Sequence, residues 1–429
     1  MISPASAIPD GEAVELAPGV HWVGAFDPSL RRFDLILSTA NGTSYNAYAV
    51  RGSEGVVVVD TVKSEFADVF FARLETICDY SEIRAIVLNH LEPDHSGALP
   101  ELLRRAPQAE VLLSTRAQSM LKAVTKADGV EYSYRPVATG DTLSLGDRTL
   151  RFISTPFLHW PDTQCTYLEE LSVLFSGDVF GCHFCDQRLF NDRVGDFRYA
   201  FEYYYRHIMR PFRSHVIEAL DLLEPLELAL IAPAHGPVLR DGPRDYVDRY
   251  RTLAQPTLQA ETCAGEKTLL IFYLSAYGNT ERMAQAVYAG AEGVEGCRVS
   301  LFDLEGSEPS LFVDLIEEAD GFVIGSPTIN GDAVKPAWDL LSSLTLVKLR
   351  GKLGGAFGSY GWSGEAVQML EDRLRGLKLV VPRHGPKVKL IPTEEELDEC
   401  RAFGRALAEH LTGVANQARV VDFADLIRP

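Results

Sequence analysis

The chain has 429 residues, 46% of them apolar and 24% charged, with a formal net charge of −19. That is a globular composition with room for two or three cored domains, and an acidity that repels nucleic acid and anionic lipid while serving solubility or a basic docking partner. No apolar run approaches the roughly 18 residues that cross a bilayer, and the opening MISPASAIPDGEAVELAPGV has neither the charged nor the apolar region of a secretory signal; the cytoplasm is the expected location. Seven cysteines, at positions 78, 165, 182, 185, 263, 297 and 400, form no even disulfide framework. Cys182 and Cys185 are a lone C-x-x-C without the second pair of a zinc knuckle, so two ordinary buried thiols are expected.

Short strands alternating with helices come first: Gly55–Asp60 (GVVVVD), Ala85–Asn89 (AIVLN), Val111–Ser114, Leu150–Ser154, Ser172–Ser176 and Leu228–Ala232. Several run directly into polar residues, and such strand ends are exposed yet rigidly anchored places for a site. The polar, small-residue stretch AQPTLQAETCAGEK at 254–267 reads as a domain boundary. Beyond it, Thr268–Leu274 (TLLIFYL), Gly321–Gly325 and Gly354–Gly358 read as buried parallel strands. Amphipathic helices such as ERMAQAVYAGAEGV separate them, so a doubly wound sheet is expected.

The strand AIVLN leads into His90-Leu91-Glu92-Pro93-Asp94-His95, four potential metal ligands within six residues. His159, Asp178 and His235 stand at the ends of later strands, each among apolar or small residues. Any one of these taken singly reads as a hydrogen-bonded core or turn residue. The full set of seven carries more buried charge than one cation would answer, and two divalent ions fit it. Zinc hydrolases with an αββα sandwich carry H-x-H-x-D-H at the corresponding place. Glu92 in place of the second histidine makes the set harder and more anionic, which favours iron or manganese over zinc.

In the second half, the strand TLLIFYL is followed by Ser275, Ala276, Tyr277, Gly278, Asn279 and Thr280 and then by a helix. Small hydroxyl residues, a glycine and a helix N-terminus form a nest for one phosphate. Neither G-x-x-x-x-G-K nor G-x-G-x-x-G is present, so a mononucleotide fits better than a dinucleotide. Two further strand ends belong beside this loop at the switch point of a doubly wound sheet. They are Ser326, Pro327, Thr328, Ile329 and Asn330, and then Ser359, Tyr360, Gly361, Trp362, Ser363 and Gly364. Tyr360 and Trp362 suit stacking on a flat ring.

With these motifs and Gly42-Thr43-Ser44-Tyr45-Asn46, nearly the whole chain resembles the flavodiiron proteins, the A-type flavoproteins. The resemblance implies a metallo-β-lactamase-like αββα domain over 1–256 and a flavodoxin-like domain over 266–415. It implies noncovalent FMN and two irons: His90, Glu92 and His159 on one, Asp94, His95 and His235 on the other, and Asp178 bridging. His95 is the position not always bound to iron in the family. Reduction of O2 to water, of NO to N2O, or both, is the implied activity; a dinuclear hydrolase with an appended flavodoxin domain is the alternative. Head-to-tail homodimers, or dimers of dimers, are implied, with one subunit's flavin approaching the other's metals and a monomer turning over poorly. No fused C-x-x-C pair follows the second domain. The implied electron donor is therefore separate: a rubredoxin, a flavin reductase or a reduced deazaflavin. Tyr204 and Tyr205 are the candidates to donate a hydrogen bond or proton, with membership of an amphipathic helix as the plainer role. The chain departs from the family in carrying His207 where Asn is usual and Asp34 where many members have His, both expected near the metals.

Overall fold

The computed structural model describes residues 11–33, 37–127, 129–255, 265–307, 310–344, 347 and 349–413. Asp34, Cys263 and most of the expected boundary stretch, residues 256–264, lie outside them. The chain divides into two compact units, Met1–Gln255 and Pro256–Pro429.

Two sheets lie face to face in the first unit. One runs Val14–Ala17, Val20–Trp22, Tyr48–Gly52, Gly55–Val59, Ile83–Val87, Glu110–Ser114, Ser133–Val137, with its last four strands parallel. The other runs Thr142–Ser144, Thr149–Ser154, Gln164–Leu168, Val173–Gly177, Leu230–Pro233, and only its last pair is parallel. Because strand side chains alternate, Val57 and Val59 point between the sheets, meeting Phe152 and Phe175, while Val56 and Val58 point outward. Helices Ala67–Glu75 and Leu99–Arg105 cover that outer face with Phe70, Leu74, Leu99 and Leu102. Helices Arg198–Tyr204, Arg213–Leu223 and Pro243–Leu253 cover the outer face of the second sheet. The layers are therefore α, β, β, α.

The second unit is a parallel sheet in the order Cys297–Asp303, Lys267–Tyr273, Gly321–Gly325, Leu353–Tyr360, with Lys387–Lys389 beside the last. Helices Asn279–Glu292 and Glu394–Thr412 pack on one face. Helices Ser310–Glu318, Lys335–Ser343 and Ala366–Gly376 pack on the other. The strands read from the sequence are all present, displaced by at most two residues at either end. Ala85–Asn89 is Ile83–Val87 because Asn89 leaves the ladder: its N–H and its Nδ2 both donate to the buried Asp60 carboxylate, at 2.7 and 3.1 Å.

Candidate two-metal centre and flavin cradle

All seven metal-ligand candidates converge at one end of the sandwich. His90 follows the strand Ile83–Val87, and Glu92 precedes a short helix, Pro93–Ser96, that carries Asp94 and His95. Asp162 Oδ2 accepts from Leu91 N (2.9 Å) and holds that turn. His95 O accepts from Thr61 N and Oγ1, at 2.8 and 2.7 Å. Asp178 follows Gly177, whose φ of +56° lets the chain turn sharply at the strand end. His159 stands on the loop between Thr149–Ser154 and Gln164–Leu168, and His235 follows Leu230–Pro233.

The candidates form two sets, His90, Glu92, His159 and Asp178, and Asp94, His95 and His235, the donor atoms of each lying within 4.8 Å of one another. Asp178 faces both. Its Oδ2 lies 3.4 Å from His90 Nε2 and 3.2 Å from His159 Nε2. Its Oδ1 lies 3.4 Å from His95 Nε2 and 3.7 Å from His235 Nε2. Glu92 Oε2 closes the first set at 2.9 Å from His159 Nε2 and 3.5 Å from His90 Nε2. Asp94 closes the second, 3.3 Å from His95 Nε2 and 3.2 Å from His235 Nε2.

Apart from His159 Nε2 and Glu92 Oε2, hydrogen-bonded at 2.9 Å, these groups are close without being paired. His90 Nε2, His95 Nε2, His235 Nε2, both Asp94 oxygens and Asp178 Oδ1 are buried and make no aligned hydrogen bond among the described residues. Buried polar atoms are normally satisfied, and lone pairs that converge on a common point instead suit a cation. The electrostatics agree. Burial pushes the Asp178 carboxyl up, but the charge on His90 and the close approach of the His159, His90 and His95 imidazoles outweigh it and hold it well below the usual range. Burial pushes His159 down, yet hydrogen bonds with Asp178 and Glu92 raise it to about 9. Three ionised carboxylates in a dry site call for positive charge, and divalent cations supply it. The residues present thus fit two metal ions.

Asn46 supports this end of the sandwich. Its Oδ1 accepts from Trp22 Nε1 (2.8 Å), and its Nδ2 donates to Pro233 O and Gly236 O (2.8 and 2.9 Å), bracketing His235. Asn46→Leu leaves the buried Trp22 Nε1–H unpaired and removes one of two donors from Pro233 O and from Gly236 O, which keep Tyr48 Oη and Ser44 Oγ, and is expected to cost about 2 kcal/mol. Metal affinity should fall roughly 10–100-fold. Chemical denaturation and iron titration check this, and wild-type values for both would remove the supporting role.

The two candidate tyrosines part company. Tyr204, fully buried, lies with its ring 6.2 Å from that of His235. Burial, then the charges of Asp178, Tyr250, Glu92 and Asp94, raise its phenol far above the ordinary value, so it stays protonated. Tyr205 sits outside this group, edge-on to Tyr250 at 4.8 Å, its hydroxyl without a hydrogen bond among the described residues and its charged neighbours Arg210 and Arg213. A π-helical turn, Tyr205–Met209, begins between them. His207, expected near the metals, is exposed instead: its Nδ1 lies 2.8 Å from Tyr203 O and its ring packs on Tyr203.

One histidine at the site was not read from the sequence. His183, inside the C-x-x-C, is buried against Tyr204 and His235, both at a ring distance of 5.0 Å. Burial, then the charge of His235, holds it well below the ordinary histidine range. The sequence signal for it is its place in GDVFGCHFC, a few residues after the strand-end Asp178. Cys182 and Cys185 are free, and burial pushes both thiols up, Cys185 to about 11.

The three loops of the cradle stand side by side at the C-terminal ends of adjacent parallel strands. Thr280 Oγ1 and Ser359 Oγ lie 2.8 Å apart and tie the first loop to the third. Ser326 N donates to Phe357 O (3.1 Å), tying the second to the third. Helix Asn279–Glu292 starts at Gly278, whose φ is +77°, and Ser275 Oγ accepts from Glu281 N (3.1 Å). The remaining first-turn amides have no intrahelical acceptor. A Cβ on Gly278 would meet nothing within 4 Å, so the nest is open. Tyr277 and Trp362 are 91% and 77% exposed, and Ile329, Asn330 and Ala276 are also exposed. Pro327, Thr328, Tyr360, Gly361, Ser363 and Gly364 are half-buried around them. Hydroxyls, free amides and apolar rings are the donor set that a phosphate-bearing flavin takes.

A family model described as the ODP family beta lactamase matches residues 43–236, and the flavodoxin model matches residues 271–404. The type A flavoprotein of Rhodobacter capsulatus is 62% identical over 427 residues, 99% of this chain and 98% of that one. The chain belongs to the type A flavoproteins, the flavodiiron family of oxidoreductases. Other flavodiiron relatives span both units. A nitric oxide reductase of Moorella thermoacetica is 36% identical over 93% of this chain and 99% of its own. The rubredoxin oxygen:oxidoreductase of Desulfovibrio gigas has a TM-score of 0.63 and 30% identity, covering 94% of this chain and 99% of that one. Among the described residues no helix is long and apolar enough to cross a membrane.

Proposed function

We propose that this flavodiiron protein reduces O2 to water, NO to N2O, or both, at a di-iron centre supplied with electrons through FMN. The observation that carries the reading is Asp178, whose two oxygens divide between the two ligand sets. His90, Glu92 and His159 would hold one iron, Asp94, His95 and His235 the other, and Asp178 both. When bound, the irons supply the electron transfer and Lewis acidity that a diatomic substrate needs. O2 takes four electrons and four protons to give two waters; two NO take two of each to give N2O and water.

The chain's own residues do the rest. The ligand set is buried, with His159 its most exposed member, so bulk water is excluded. Seven fixed ligands hold the reacting groups in one place. Tyr204, kept protonated, offers an O–H beside His235. The loops at Ser275–Thr280, Ser326–Asn330 and Ser359–Gly364 would bind FMN. The proposed domains are 1–256 for the irons and 266–415 for FMN. A separate donor, in the class of rubredoxin, a flavin reductase or a reduced deazaflavin, would reduce the flavin. The exposed Tyr277 and Trp362 are apolar surface that a head-to-tail second subunit would cover.

The test is anaerobic reduction of the flavin followed by stopped-flow reoxidation with O2 and, separately, with NO, alongside metal analysis. Iron, with flavin reoxidised far faster than free FMN by at least one gas, is expected. Zinc with ester or thioester hydrolysis, and no flavin-dependent gas uptake, points to the hydrolase instead.

A further inference from the structure

The second unit carries a run of basic residues at odds with the charge of the whole chain. Arg373, Arg375, Lys378, Arg383, Lys387 and Lys389 fall between positions 373 and 392 with no aspartate or glutamate among them, in a chain of formal net charge −19. Arg375 pairs with Glu371 and Asp372, at 3.2 and 2.9 Å. The other five make no ion pair among the described residues. Lys378, Arg383, Lys387 and Lys389 are exposed.

These residues form one edge of the parallel sheet, beside the flavin cradle. The segment that starts at Lys378 runs along the strand Leu353–Tyr360: Gly354 N donates to Val380 O (2.9 Å), and Gly358 N to Pro386 O (3.1 Å). Strand Lys387–Lys389 then pairs in parallel and sets Lys389 opposite Tyr360 of the third cradle loop. Val388 is buried under the helices of one face, so by alternation Lys387 and Lys389 point to the other side. Leu390 and Ile391, 55% and 70% exposed, continue the edge, with Leu390 N donating to Tyr360 O (2.8 Å). The edge is anchored from within. Glu371, fully buried on helix Ala366–Gly376, has its Oε2 2.7 Å from His384 Nδ1, and its Oε1 accepts from Gly385 N (2.8 Å). A surface fixed in this way loses little freedom when a partner docks. Lysines on an edge strand also keep sheets from pairing edge to edge. That role needs the strand alone, whereas Arg373, Lys378 and Arg383 lie before it.

An acidic partner is repelled by most of this chain, so a local basic face decides where it lands. Cations outnumber apolar side chains on this edge, whereas a permanent subunit interface is depleted of charge at its core. The edge therefore suits brief, electrostatically steered encounters. We propose that the edge at 378–391 is the docking surface for a small acidic one-electron carrier protein, which reduces the flavin in the adjoining loops. This inference rests on the FMN reading above. Each encounter oxidises the carrier by one electron, and two encounters, with protons from solvent, reduce the flavin fully. The probe is a rubredoxin of negative net charge. Its reduced form is mixed anaerobically with the oxidised holoprotein, and its redox-silent zinc form is titrated for binding. The double variant Lys387→Glu/Lys389→Glu lowers the bimolecular rate of flavin reduction about 10-fold at low salt and weakens binding of the zinc form by a similar factor. Both differences fade at high salt, where charge is screened. Lys387→Arg/Lys389→Arg keeps the wild-type values, and Arg383→Glu, off the strand, moves them in the same direction as the glutamate pair. Wild-type rate and affinity in the glutamate pair, or a wild-type rate that ignores salt, overturns the docking surface. So does a glutamate pair that changes only the oligomeric state in sedimentation, which assigns the edge to a second copy. A protein that carries no FMN overturns the flavin reading alone, since binding of the zinc form still reads the surface.

Discussion

Asp178→Ala is expected to strip iron from both positions and to lower the rate of gas reduction by about 10³-fold or more. No other candidate has one oxygen facing each set, at 3.4 and 3.2 Å from His90 and His159 and at 3.4 and 3.7 Å from His95 and His235. Removing the carboxylate takes a ligand from each set and also the negative charge that draws the imidazoles together. Asp178→Asn separates these effects, since it keeps the shape and one acceptor oxygen but not the charge. It should retain part of the iron and little of the rate. Iron analysis with stopped-flow reoxidation reads both variants. Wild-type turnover in Asp178→Ala would reject the two-metal assignment outright.

The largest effect expected on stability lies in the second unit, where two helices meet backbone to backbone. A Cβ on Gly404 would stand 2.0 Å from Val287 O, and one on Gly290 would stand 1.9 Å from Arg401 O. Neither obstacle is a flexible side chain, so helices Asn279–Glu292 and Glu394–Thr412 must separate to admit any larger residue. Gly404→Leu is therefore expected to cost about 3 kcal/mol or more, lowering Tm by roughly 10 °C. Flavin content should fall with it, because Asn279–Glu292 carries the cradle's first turn. Thermal unfolding followed by flavin fluorescence separates loss of the fold from loss of the cofactor. An unchanged Tm would show that the helices pack less closely than described.

The strands, the order of the cradle loops and the seven metal-ligand candidates are all legible in the order of residues along the chain. The reason is local. Buried strands read as apolar runs, and His90, Glu92, Asp94 and His95 are crowded into one short turn where charge must be answered. Family resemblance then proposed the division into two ligand sets with Asp178 between them. Which oxygen of Asp178 faces which set is fixed only on folding, because it depends on how four separate strand ends meet. Folding also decides between neighbours that look alike in sequence. Tyr204 lies beside His235 and Tyr205 against Tyr250, a choice made by helix phase and packing rather than residue type. His207 stacks on Tyr203 at the surface, while His183, hidden in a pair of thiols, stands at the centre. A histidine's sequence neighbours do not reveal whether it meets water or a buried carboxylate, since residues more than a hundred positions away supply that environment, as Thr43 does for His183.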